Sequence, residues 1–164
     1  MFSGCTSLTQ APTLPATTAA SYCYSDMFKN CTSLTQAPAL PATRLDNYCY
    51  SSMFKGCTSL TQAPELPATT LYGYCYTNMF SGCSSLTQAP ILPSTTLANN
   101  CYTNMFSGCT SLSSLKVAFT AWGRETNQWL NNVAASGTFT CPAELPDTRG
   151  TSNIPAGWTK VDAA

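Results

Sequence analysis

One period governs most of this chain. Met1, Met27, Met53, Met79 and Met105 recur every 26 residues, as do Phe2, Phe28, Phe54, Phe80 and Phe106, Cys5, Cys31, Cys57, Cys83 and Cys109, and Leu8, Leu34, Leu60, Leu86 and Leu112. A repeat this regular is a supersecondary unit that cannot bury its apolar side alone, so copies must stack, Phe on Phe and Leu on Leu. The period stops after Leu112, where "SSLKVAFTAWGRETNQWL" begins. The chain therefore divides into a repeat array, residues 1–112, with units starting near Met1, Cys23, Cys49, Cys75 and Cys101, and a C-terminal capping segment, residues 113–164.

Within a unit, Leu45, Cys49 and Met53 lie four apart while Asp46, Asn47, Ser51 and Ser52 fall between them. That spacing predicts a short amphipathic helix, because positions i and i+4 share a helix face. Gly56, Gly82 and Gly108, with Asn30 in the equivalent place, follow where a left-handed residue commonly ends a helix. "SLTQAP" reads as a stub of strand, stopped at Pro38 and Pro41 because proline cannot donate to a ladder. The predicted fold is α/β: a solenoid of 26-residue helix-plus-short-parallel-strand turns with a C-terminal cap. In the cap, "LKVAF", "GTFTC" and "GWTKV" read as strands and "ETNQWLNNV" as a short helix. A cap covers the apolar edge that a bluntly ended array exposes. The sharper reading of the same segment is a ligand pocket around Trp122, Trp129 and Trp158, although such large aromatics more often fill a core.

Seven basic and seven acidic residues cancel, and charged residues are only 9% of the chain, so no electrostatic footprint for nucleic acid or an anionic membrane exists. No apolar run reaches the roughly 18 residues of a membrane span, so no membrane insertion is expected, and "MFSGCTSLTQ" has no signal-peptide pattern. Histidine is absent, acidic residues number seven, and no Gly-rich phosphate loop occurs. A nucleophile, base or metal with perturbed acidity has no evident source, so neither an enzyme nor a cofactor is expected. The ten cysteines lack the close C-x₂₋₄-C pairs and imidazoles of zinc sites, so no metal is expected either. Two arrangements remain for them. Their apolar slots suit reduced, buried wall positions, while the pairing Cys5–Cys23, Cys31–Cys49, Cys57–Cys75, Cys83–Cys101 and Cys109–Cys141 would use every thiol.

The core "FKNCTSLTQA" and "FKGCTSLTQA", with "LPATT" nearby, resembles the BspA-like leucine-rich-repeat surface proteins of gut and oral bacteria, in their Thr/Pro-rich variety. The tail "NQWLNNVAASGTFTC" and "GTSNIPAGWTKVD" is similar to the segment that closes such arrays. The unit departs from the family's commoner, shorter one around "DNYCY", which implies a longer helix. The resemblance implies adhesion or surface recognition, and an extracellular or cell-surface location.

Two functions from different classes follow. One is a non-catalytic recognition or adhesion module that binds a protein or glycan. The other is a structural spacer or assembly scaffold, as a fragment of a longer surface protein or a phage fibre component. Three columns vary while their neighbours hardly do: Thr13/Ala39/Glu65/Ile91, Thr18/Arg44/Thr70/Thr96 and Ala20/Asp46/Tyr72/Ala98. A spacer has no need of that variety, so recognition is favoured. Arg44, Asp46, Glu65 and Tyr72 are the candidate binding surface, since Tyr and Arg are enriched among residues that dominate interfaces. Because Met1 falls in mid-unit, the array's N-terminal end is uncapped, which predicts self-association there or continuation in a longer chain.

Overall fold

The computed structural model describes residues 1–163. Residues 26 apart lie one above the other: parallel bridges join Gln10, Gln36, Gln62 and Gln88 in one column and Thr18, Arg44 and Thr70 in another. The Phe rings at positions 2, 28, 54, 80 and 106 stack with centroids 5.6 Å apart. Phe28, Phe54, Phe80 and Phe106 are fully buried, as are Leu34, Leu60, Leu86 and Leu112. Each such side chain removed from water contributes about 1.5–3 kcal/mol.

The coils that stack are not made of helix and strand. Among the described residues there is no α-helix, and the named strands are three short ones after residue 112. The expected α/β leucine-rich-repeat solenoid with helix-plus-strand turns is therefore overturned, and the backbone shows why. From Tyr48 to Cys57 the amides divide into two sets. Tyr50 donates to Cys75 in the next coil at 3.0 Å, Ser52 to Thr77 at 2.8 Å and Phe54 to Met79 at 2.9 Å. Cys49, Ser51 and Met53 between them donate to Asp46, Tyr48 and Tyr50, three residues back. A helix would instead send every amide four residues back within its own segment. Every fourth residue is also left-handed: Tyr48, Ser52 and Gly56 have φ of 57, 55 and 75°. One left-handed residue ends a helix, and one in every four leaves none to end.

The segment is thus a staircase of turns in which every amide and carbonyl finds a partner, half of them in the neighbouring coil. Its four-residue step buries Leu45, Cys49, Met53 and Cys57 on one side, as a helix would. The same spacing satisfies both structures. The "SLTQAP" stubs form single bridges rather than strands. Ladder bonds are sparse there, as in Thr35 to Thr9 at 3.5 Å, and Pro38 and Pro41 beyond have no amide to give.

The stack outlives the sequence period. β1 (Ser114–Lys116) extends the Gln column through the Gln88–Ser114 bridge. β2 (Gly137–Cys141) lies parallel to it, with Thr138 opposite Ser114, and β3 (Trp158–Asp162) lies parallel to β2, with Trp158 opposite Gly137. "GTFTC" is β2 itself; β1 takes only the first two residues of "LKVAF". The expected helix in "ETNQWLNNV" is absent: a 3₁₀ turn, Arg124–Thr126, leads into left-handed Gln128 and Asn132, with φ of 53 and 54°, repeating the staircase. Tyr102, Asn104, Phe106 and Gly108 donate to Glu125, Asn127, Trp129 and Asn131 of this segment. It covers the last array coil.

Candidate functional site

The variable columns fall on two different parts of the surface. Arg44 and Asp46 from one coil and Tyr72 from the next line a single hollow of about 420 Å³, together with Thr18, Leu45 and Thr70. Arg44 sits in a parallel bridge column between Thr18 and Thr70, which fixes its backbone, and its side chain projects into water. Among the described residues it forms no ion pair with a side-chain carboxylate. Asp46 accepts from the Asn47 amide at 2.7 Å and from Asn47 Nδ2 at 3.2 Å. That holds its carboxylate in place while leaving acceptor sites open. Tyr72 is 45% exposed. The hollow therefore offers a cationic fork, an oriented carboxylate, threonine hydroxyls and an aromatic ring. Leu45, 5% exposed, forms its apolar floor.

Glu65 is elsewhere. It lines a second hollow of about 400 Å³ with Pro64, Leu66, Pro67, Pro90 and Ile91. The equivalent hollow between the first two coils, about 210 Å³, is lined by Pro12, Thr13, Leu14, Pro15, Pro38 and Ala39. Glu65 thus marks a proline-walled edge, whose exposed apolar residue is Ile91 at 60%, and does not join the other three. The tryptophans are taken up by packing and hydrogen bonds rather than opening onto a ligand pocket. Trp129 and Trp158 are buried, and the indole N–H groups of Trp122, Trp129 and Trp158 donate to the carbonyls of Pro146, Asn153 and Ala134. Trp129 continues the Tyr24, Tyr50, Tyr76, Tyr102 column, 6.2 Å from Tyr102.

Column variation could not point to a second aromatic feature. Tyr22, Tyr48 and Tyr74 stack on the surface with centroids 4.8 and 4.6 Å apart and planes within 6°. They stand two residues beyond the Ala20/Asp46/Tyr72 column. Because three successive units carry Tyr there, it reads as part of the wall. Its signal is conformational: all three are left-handed, with φ of 57–58°. Partial burial raises the Tyr48 phenol above its ordinary value, with Tyr74 and Tyr22 on either side adding to it.

The ten cysteines are free thiols, eight of them buried; Cys5 and Cys23 are exposed. Cys57, Cys83 and Cys109 donate S–H to the carbonyls of Phe28, Phe54 and Phe80 at 3.0–3.1 Å. Burial pushes Cys49, Cys57, Cys101 and Cys109 up to about 12. Such thiols stay protonated at neutral pH and are poor nucleophiles and ligands. Among the described residues, no three Cys, Asp or Glu side chains gather as they would around a metal. No family model, curated protein or solved structure matches the chain.

Proposed function

We propose that the protein is a non-catalytic recognition module that binds a protein or glycan through the hollow of Arg44, Asp46 and Tyr72. One observation carries this reading: three residues picked out because their columns tolerate Thr or Ala meet around one 420 Å³ depression. The stack does not need them. Thr18, Thr70 and Thr96 fill the Arg44 slot, and Ala20 and Ala98 fill that of Asp46 and Tyr72. A guanidinium, a carboxylate and a phenol held on a stiff scaffold suit a polar ligand that meets all three. A cell-surface setting rests on the family resemblance. Among the described residues no helix is long and apolar enough to cross a membrane.

The test is the triple replacement Arg44→Thr, Asp46→Ala, Tyr72→Ala, each residue changed to one its own column already holds. Melting should change little, because surface substitutions usually stay within about 0.5 kcal/mol each. Adhesion of the purified protein to cells or extracellular matrix should fall. Unchanged adhesion by a folded variant would remove the hollow as the site and favour the spacer or scaffold function.

A further inference from the structure

The Tyr22–Tyr48–Tyr74 ladder sets three aromatic side chains on a left-handed backbone, a conformation that bulky residues avoid. Four successive coils repeat three left-handed positions. In the other two columns they hold Asp26, Ser52, Asn78 and Asn104, and Asn30, Gly56, Gly82 and Gly108. Apart from Ser52, those residues are Asn, Asp or Gly, which accept a positive φ at little cost. The tyrosine column itself shows that the fold is content without the ring: its fourth member is Asn100, with φ of 52°. A strained residue that the scaffold does not require directs attention to a surface role.

The geometry says what kind. Stacking at 4.6–4.8 Å covers the ring faces, so the column presents phenol edges and hydroxyls in a row along the stack. Tyr22 is 60% exposed. Charge is scarce, with 9% of residues charged and a net charge of zero, and Arg44 and Asp46, four and two residues before Tyr48, are opposite in sign. A polyanion or polycation finds no complement here. A neutral polymer that offers hydroxyls at regular intervals does, and tyrosine supplies rigid, amphipathic contact at low entropic cost.

We infer that the tyrosine ladder is a binding track for a neutral polysaccharide strand lying along the stack, with the Arg44/Asp46/Tyr72 hollow beside it. This rests on the recognition function and names its ligand class. The experiment is calorimetric titration of the full chain with neutral, β-linked glucose oligomers from disaccharide to hexasaccharide. Affinity should climb with each added sugar and level off once the ladder is spanned. Tyr48→Asn should lose about tenfold or more of the hexasaccharide affinity with an unaltered melting temperature. Tyr48→Phe, which keeps the stack and deletes the hydroxyl, should lose part of it, and this variant carries the test if the Asn variant does not fold. No binding at any length, affinity independent of length, or wild-type affinity in both variants overturns the inference. The triple variant of the hollow separates the two sites: cell adhesion that falls with it, in a protein that binds no oligomer, leaves the hollow standing and removes the track.

Discussion

At the scale of single residues, the cysteines are structural, and two of their properties can be measured. Cys57 lies fully buried beneath the coil above, its thiol donating to Phe28 at 3.1 Å. Cys57→Ala should cost about 1–3 kcal/mol as a core truncation, and Cys57→Asp should unfold the array, since an unpaired carboxylate would be buried there. Denaturant melts would show both. Native alkylation followed by peptide mapping should label Cys5 and Cys23 first, with the other eight reacting only after unfolding. The raised thiols also link stability to pH. Folded Cys49, Cys57, Cys101 and Cys109 hold their protons up to about 12, whereas an unfolded thiol releases its own near about 8.5. The folded state binds more protons between those values, so this stability is fully present below the lower one and drains away as pH rises toward the higher. Thermal melts should fall through that alkaline window and stay flat below it.

At the scale of the element, the staircase decides what was legible. The four-residue spacing of Leu45, Cys49, Met53 and Cys57 correctly reported one buried side, yet the same spacing serves a helix and a chain that turns left-handed at every fourth residue. Hydrophobic pattern alone cannot separate them. The distinguishing signal was the residues between, Asp26, Asn30, Ser52, Gly56, Asn78 and Gly82: all weaken a helix, and all but Ser52 are types that tolerate positive φ. The glycine positions were read correctly as left-handed, but as one terminus rather than one step of several. Half the amides bond to a neighbouring coil, and a non-local partner leaves no trace in a local window. The candidate site was half legible for a related reason. Columns showed which residues the stack could spare, and so picked out Arg44, Asp46 and Tyr72, which line one hollow, but they could not show that Glu65 lies on another edge or that a repeated tyrosine is strained. A substitution tests the staircase directly. Ser52→Val puts a β-branched residue at φ 55° and should cost about 1–3 kcal/mol, while Ser52→Asn, which matches Asn78 and Asn104, should be neutral or slightly stabilising.

At the scale of the molecule, stability is a sum over coil-to-coil contacts, because each coil bonds chiefly to its neighbours. Removing residues 49–74, one whole period of 26, joins Tyr48 to Cys75 and keeps every column in register. The shortened chain should fold and melt somewhat lower. Removing residues 49–73 shifts the columns by one and should leave the chain unable to stack; circular dichroism and melting would distinguish the two. Deleting residues 113–164 should expose Tyr102, Phe106 and Leu112, now covered by the Trp129 segment, and cause aggregation visible by light scattering.

The site, the thiols and the tyrosine ladder all depend on alternate amides crossing to the next coil, and scalar couplings across hydrogen bonds, measured by solution NMR, report such partners pair by pair. The account predicts couplings from the Tyr50 amide to the Cys75 carbonyl and from the Phe54 amide to the Met79 carbonyl, with Met53 coupled to Tyr50 between them. Couplings from Tyr50 to Asp46 and from Phe54 to Tyr50, four residues back as in a helix, would contradict it.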